Sequence, residues 1–536
     1  MLSSSSHYNG KLLSLNIDCR ENVLSGIKKV ADAVSVTLGP KGRTVIIDQP
    51  YGNARVTKDG VSVAKALTFS DNTLNVGGKI AKEVASKVND RSGDGTTTAT
   101  CLLRKVACEG VQAINTGLSG TDLLKGISIA KDIVLKEITK QSKPTLKEDI
   151  ISVARVSANN DEKIGEMVGD IFGKIGRDGA VDIETGKGTK DIVNIVEGMV
   201  LDQGFLSRYF TTDEKNTKVD IRNTDVIVCD YKLSSSQSVV PLLELCLKRK
   251  RPLVVISDTI DGDALTTLVL NKLRGLPIAA VRAPGFGETR KGILHDIGII
   301  TGATVISNEA GKKIEEVTEK DLGKIGHFVS TKDETIITGG AGSKAEVLAR
   351  INELKNAKEV SDSSYEKEKL EGRIARLTGG VAVISVGGSS EAEVGERKDR
   401  IEDAVCAVKA ALAEGIVPGG GVALIRAGSS LDKIRSQNWA EKVGIDIVRK
   451  VTEEPTRIIA RNAGIDGGIV IQKIKEGTGS FGYDVRKNVY CDLMKVGIVD
   501  PTKVVRNAFN EAISVGSLIA TSEALITDEP IKKEIN

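Results

Sequence analysis

The chain changes its pattern twice. Residues 20–38, 76–90 and about 95–139 carry apolar residues at helical spacing, with Val23, Ile27, Val30, Val34 and Leu38 setting the first course. Between about 190 and 380, short β-rich runs take over: DVIVCD (225–230), PLVVIS (252–257) and AAVRAP (279–284) alternate with helical stretches at 238–250 and 263–274. From 400 to Asp528 the pattern is long helices again. Alternating strands and helices predict an α/β unit with a parallel sheet. Two helix-rich flanks predict a helical domain built from both chain ends, with the α/β domain inserted in it. A length of 536 residues, at roughly 150 per domain, gives three or four domains.

Smaller features follow. RTVIID (43–48) and ARVT (54–57) read as two short strands around a turn, and Gly-Leu-Ser-Gly (117–120) breaks a helix. Residues 344–376 are highly charged and read as a solvated helical hairpin, while the polar end DEPIKKEIN reads as frayed.

The balance of 75 basic and 72 acidic residues provides no global field for nucleic acid or a membrane surface. Aromatics at 3% argue against base-stacking platforms. No run approaches the ~18 apolar residues of a membrane span. Neither nucleic acid nor membrane is expected as a partner. The seven cysteines are scattered and never in C-x-x-C spacing, which fits a reducing compartment rather than a disulfide framework or zinc site. The three histidines, His7, His295 and His327, form no H-E-x-x-H. Residues 1–15 are Ser-rich with no acid before Asp18, and read either as a weak organelle transit segment or as a disordered tail.

The stretch SGDGTTTAT (92–100) carries the most chemistry. Its glycines permit unusual dihedrals, and the periodic segment after Thr97 predicts a helix start whose free N–H groups favour an anion. An acid, Asp94, beside a phosphate cradle calls for a cation such as Mg²⁺ between them. The competing reading is an ordinary capped helix. TLGPKGRTV (37–45) is a basic, constrained turn, VTKDGVSVAK (56–65) supplies a further acid in Asp59, and IVPGGGVALI (416–425) allows a ligand to touch backbone. In RIEDAVCAVKAAL (400–412), Asp403 lies opposite the apolar stripe of Ile401, Val405, Val408 and Leu412, where an acid is ordinarily solvated. In a multidomain ATPase such an acid swings in to orient water. GTGSFG (477–482) matches G-x-G-x-x-G without its strand–helix context, so a dinucleotide fold is not expected there. In the middle region, VVPLLELCL (239–247) and ALTTLVLNKL (264–273) hold more apolar residues than one buried face needs. The surplus is either a binding surface or a helix buried on two sides.

TLGPKGR, KDGVSVAK, NDRSGDGTTTAT, EGMVLDQGFLSRYF, APGFGETRK, RIEDAVCAVKAALAEGIVPGGGVALI and GIVDPTKV together resemble the signature stretches of the group I chaperonins, in order from about residue 17 to 525. The resemblance implies a multidomain α+β chain. Its helical equatorial domain would comprise 1–140 and 414–536, its intermediate domain 141–196 and 382–413, and its α/β apical domain 197–381. It implies an ATP-driven folding machine using ATP, Mg²⁺ and K⁺. The assembly would be a homo-oligomer, a heptameric ring or double ring, with unfolded clients and a ten-kilodalton-class co-chaperonin as partners. A mitochondrion or mitochondrion-derived organelle is the implied location, with the cytoplasm as the alternative.

Carried onto this chain, the resemblance gives Asp94 as the Mg²⁺ ligand, with Gly95, Thr96, Thr97 and Thr98 as phosphate contacts. Thr37, Leu38, Gly39 and Pro40 form the turn over the nucleotide; Lys58 and Asp59 stand near the γ-phosphate, potassium and attacking water. Asp403 completes the hydrolytic site, Gly420 contacts the ribose and Asp500 binds the nucleoside. Phe205, Tyr209, Phe210, Val240, Leu243, Leu265, Val269 and Leu270 form the client-binding rim, with Asn271 as a polar contact. Three departures stand out. Asp484, followed by Val485 and Arg486, replaces the usual Asn-Ala near the base; Arg208 replaces a proline in the rim; and no Gly-Gly-Met tail closes the chain. These departures keep a chaperonin-shaped holdase without useful ATPase activity as a rival, while intact Asp59, Asp94 and Asp403 oppose it.

Overall fold

The structure, a computed structural model, describes residues 11–48, 54–176, 179–186, 188–213, 216–307, 309, 311–361 and 363–528. It divides into two units: residues 1–170 with 388–536, and residues 171–387, which interrupt the first in sequence.

The first unit is built on long helices. Asn16–Ser35, Asn72–Ser92, Thr96–Asn115, Gly120–Gln141, Trp439–Thr452 and Thr502–Ala520 each turn an apolar stripe inward. Their side chains meet in one core containing Ile27, Val30, Leu102, Val106, Ile127, Val448 and Phe509. Thr502–Ala520 buries Val504, Val505, Ala508, Phe509, Ala512 and Ile513, while Lys503, Arg506, Asn510 and Ser514 form its half-buried polar stripe. Truncating the fully buried Phe509 to Ala would cost about 3–5 kcal/mol.

Short ladders bring distant segments together. Lys11–Leu15 pairs antiparallel with Ala524–Asp528, Leu13 opposite Ile526. Residues 11–15 are therefore strand rather than disordered tail, and the last helix stops at Ala520, short of the expected Asp528. The rest of the Ser-rich start and of the polar end, residues 1–10 and 529–536, lies outside the described residues. Val45–Ile47 pairs with Arg55–Thr57 as expected, with the turn between them (49–53) also outside. Ile416–Pro418 pairs with Val499–Pro501, setting Val417 opposite Asp500. GTGSFG joins the helix Gly467–Glu476 to the strand Phe481–Asp484, the reverse of the strand-to-helix order a dinucleotide fold needs.

The second unit holds a nine-stranded sheet. Its order is 180–185, 380–386, 192–201, 335–338, 323–330, 219–233, 253–260 and 278–282, with 305–306 also beside 219–233. The strands 219–233, 253–260, 278–282 and 305–306 run parallel, as the βα alternation predicts. The sheet as a whole is mixed, because 323–330 and 335–338 form a hairpin that pairs antiparallel on both sides. The charged hairpin Lys344–Val360 and Ser364–Thr378 is not wholly solvated. Ile351 and Leu354 are buried, and the fully buried Asp296 accepts hydrogen bonds from Arg350 Nε (2.9 Å) and Arg373 Nε (2.7 Å).

Candidate functional site

One cavity in the first unit gathers all the residues expected at the nucleotide. The helix Thr96–Asn115 opens on it. Its N-cap is Gly95 at φ 88°, with no side-chain cap, so the first-turn N–H groups are left for a ligand. The ordinary-cap reading of this stretch therefore falls. A Cβ on Gly95 would lie 2.6 Å from Val504 Cγ1, so the turn needs glycine twice over, for its dihedral and for its space. Thr96, Thr97 and Thr98 line the wall, Thr97 Oγ1 lying 3.5 Å from Thr37 Oγ1.

The turn Thr37–Pro40 follows the helix Asn16–Ser35 and also lines the cavity. Asn462 Nδ2 holds it by donating to Ser35 O and Leu38 O, both at 2.9 Å. Lys58 and Asp59 come from the segment leading into Gly60–Ala66. Asp59 is the N-cap of that helix, its carboxylate accepting from Val61 N (3.0 Å) and Ser62 N (2.9 Å), which fixes its direction. Gly420 and Asp500 reach the cavity through the ladder that pairs Ile416–Pro418 with Val499–Pro501. Thr456 Oγ1 donates to Gly420 O at 2.9 Å.

Asp403 corrects the sequence reading. It does lie opposite the stripe of Ile401, but that face lines the cavity rather than open solvent. Three carboxylates, Asp59, Asp94 and Asp403, thus reach one cavity from three separate segments. Burial, and then the charge of Asp59, raise the Asp94 carboxyl, against hydrogen bonds from Ser157 Oγ (2.8 Å) and Gly95 N. Burial lifts Asp403 well above the usual carboxylate range, and the charges of Asp94, Asp59, Asp399 and Glu402 add to it. Asp500 is pushed up to about 7 by burial and by Asp94. A recessed group of mutually repelling acids is short of positive charge. Among the described residues no three His, Cys, Asp or Glu side chains form a ready-made metal cage. An ion here would have to take other ligands as well.

Sequence reasoning missed several lining residues: Asn89, Ser157, Asn159, Asn160, Glu396, Asp399 and Arg400. Asn159 and Asn160 sit at positive φ (56° and 64°), for which an Asn-Asn pair was the available signal. Asp484, Val485 and Arg486 also line the cavity. Buried Asp484 caps its own turn, accepting from Arg486 N (2.9 Å) and Lys487 N (3.3 Å).

The second unit carries the expected apolar surface in part. Val240 and Leu270 are exposed, and so is Tyr209 beside exposed Arg208. Phe205, Leu265 and Val269 are half-buried against the core, and Asn271 Nδ2 turns back to Thr267 O at 2.9 Å. Two expected rim residues are corrected. Phe210 is fully buried, because the 3₁₀ turn Arg208–Phe210 sends it inward while Tyr209 points out. Leu243 belongs to the inner stripe Val239, Leu242, Leu243 and Cys246 of the helix Ser236–Arg249. Leu247 and Leu273, which belong to the apolar surplus but not to the expected rim, are exposed instead.

Comparison with known proteins places the chain in a family. The chain matches the TCP-1/cpn60 chaperonin family over residues 30–530. It is 44% identical over 531 residues to the mitochondrial chaperonin CPN60-2 of Cucurbita maxima, which covers 98% of this chain and 92% of that protein. It is 45% identical over 516 residues to heat shock protein 60A of Drosophila melanogaster, covering 96% and 90%. Among solved structures, the chaperonin gp146 from the bacteriophage EL 2 (Pseudomonas aeruginosa), crystallised in presence of ATP-BeFx, shares the fold: TM-score 0.71 at 20% identity, covering 97% of this chain and 99% of that one. The class is that of ring-forming chaperones that act on client proteins. The chain belongs to the TCP-1/cpn60 chaperonin family, with the group I fold. It is an ATP-dependent chaperone that couples ATP hydrolysis to folding in a ring cavity, and its place is the mitochondrion.

Proposed function

We propose that the cavity holds Mg²⁺-ATP with its phosphates on the uncapped start of Thr96–Asn115. The observation that carries this is the meeting of that bare helix end with three carboxylates from separate segments. Gly95 and Thr96–Thr98 bind phosphate through N–H and hydroxyl groups. Asp94 is the Mg²⁺ ligand. Magnesium suits one carboxylate plus phosphate oxygens and waters, which is consistent with the lack of a closed cage among the described residues. When bound, the ion neutralises charge developing on the transferred phosphoryl group. Lys58 and Asp59 stand at the γ-phosphate end, where K⁺ also binds, and Thr37–Pro40 close over the nucleotide. Gly420 and Asp500 take the nucleoside, with Asp484 near the base.

Asp403 orients the attacking water and accepts its proton. Its carboxylate reaches the cavity from the helix Glu391–Glu414, a segment separate from those that bring Asp59 and Asp94. The exposed side chains Tyr209, Val240, Leu270, Leu247 and Leu273 hold unfolded clients and a ten-kilodalton-class co-chaperonin; Phe205, Leu265, Val269 and Asn271 support them. The ring is heptameric, single or double, and the chain works as three domains with the boundaries expected above. The test is Mg²⁺-ATP turnover by the parent and by Asp403→Ala, with bound nucleotide quantified. Binding kept and turnover lowered about 100-fold or more in the variant is expected. Equal turnover in the two would remove Asp403 from the chemistry.

A further inference from the structure

The helix Glu391–Glu414 presents Asp399, Asp403 and Cys406 on one face, at i, i+4 and i+7. Asp403 is the middle member, and both of its neighbours are fastened. Asp399 Oδ2 lies 2.5 Å from Arg55 Nη2, in a pair whose side chains are only 19% and 29% exposed. Cys406 packs against Gly93, where an added Cβ would lie 2.4 Å from Cys406 Cβ and 2.6 Å from its sulfur. Gly93, at φ 69°, permits an approach no other residue would. The partners of these two contacts are not random positions. Arg55 stands on the strand Arg55–Thr57, four residues before Asp59, and Gly93 immediately precedes Asp94. Each contact thus ties the helix of Asp403 to a segment carrying another of the three acids.

We infer that the Arg55–Asp399 ion pair is a positioning clasp that sets how far Asp403 reaches into the cavity during hydrolysis. Arg55 acts in two ways. It pins the helix one turn before Asp403, and it offsets the charge of Asp399, which would otherwise repel Asp403 along the same face. The Cys406–Gly93 contact supplies the second anchor, so the helix is held at two points and Asp403 is held between them. The inference rests on the proposed role of Asp403 as the hydrolytic acid.

The test compares Arg55→Ala, Asp399→Ala, Arg55→Lys and the reversed pair Arg55→Asp with Asp399→Arg, beside Asp403→Ala. Each full-length protein is assayed for kcat and KM with Mg²⁺-ATP. The rate of Cys406 alkylation by iodoacetamide is mapped on the same proteins by mass spectrometry. The single alanine variants should lower kcat by about two- to fivefold, the scale of a partly exposed ion pair, with KM little changed. They should also alkylate faster at Cys406, because the helix is freed at one end. Arg55→Lys should fall between, and the reversed pair should recover both readings. Parental kcat and alkylation in the alanine variants would overturn the clasp, and so would a reversed pair no better than the singles. Full turnover in Asp403→Ala would sink the role of Asp403 instead, and the alkylation rates would still decide whether the clasp holds the helix.

Discussion

The cavity of the first unit and the apolar surface of the second are made in opposite ways. The cavity is discontinuous in sequence: Thr37, Asp59, Asp94, Asp403 and Asp500 come from five segments, and the helices and ladders of the core place them. The surface is local. It is the outer side of two helices, Ser236–Arg249 and Gly262–Leu273, with the adjoining turn at Tyr209. The cavity hides charge, and Asp94, Asp403 and Asp500 shift upward because burial disfavours their ionised forms. The surface exposes greasy side chains at a cost in solubility, which is the usual mark of an interaction site. A site built from many segments is sensitive to backbone changes far from any ligand, whereas a local surface tolerates them and responds to side-chain polarity alone.

That contrast can be broken most forcefully at Gly95. Gly95→Ala forces a Cβ onto a residue at φ 88° and against Val504. Nucleotide affinity should fall about tenfold or more, equivalent to ~1.4 kcal/mol, with client capture by the nucleotide-free protein unchanged. Calorimetric titration with an ATP analogue checks it, and an unaltered affinity would show that the uncapped helix end is not the anchor.

A smaller effect is expected at Leu270, which is 48% exposed. Leu270→Ser should weaken capture of a denatured client about threefold, less than a core truncation would cost in stability, and leave ATP turnover and Tm close to parental. Its half-buried neighbour Val269 is the poorer probe, since it also packs on the core.

A further prediction concerns pH. Asp500 has its pKa raised on folding to about 7, so the folded chain holds a proton that the unfolded chain releases near pH 4. Stability of the nucleotide-free protein should therefore fall as pH rises from about 4 to about 7, and Asp500→Asn should flatten that slope. Thermal unfolding across this range reads it directly. A parental slope in the variant would mean that Asp500 is not the titrating group.

Much of the cavity was legible because its parts are marked by backbone chemistry. Two glycines around Asp94 and a row of threonines announce a helix start, and the helix does begin at Thr96; that it begins without a side-chain cap came only from the structure. Asp403 was harder. Its angle from the apolar stripe is correct, but an angle shows only that a residue points away from one core. That the opposite face is covered by Arg55 and Gly93 depends on contacts more than 300 residues apart in the chain. The apolar surface failed in the opposite sense. Composition showed a surplus, yet could not say that Leu243 packs inward while Leu247 points out, nor that Phe210 and Tyr209 part company in a 3₁₀ turn. The sheet was half legible for a similar reason, since the parallel strands carry βα alternation and the antiparallel hairpin at 323–338 does not.

The most direct measurement is a crossed assay of Asp403→Ala and Leu270→Ser, reading client capture and Mg²⁺-ATP turnover on both. The account predicts that Asp403→Ala loses turnover and keeps capture, and that Leu270→Ser weakens capture about threefold and keeps turnover. Loss of both activities in each variant would contradict the separation of chemistry and capture between the two units.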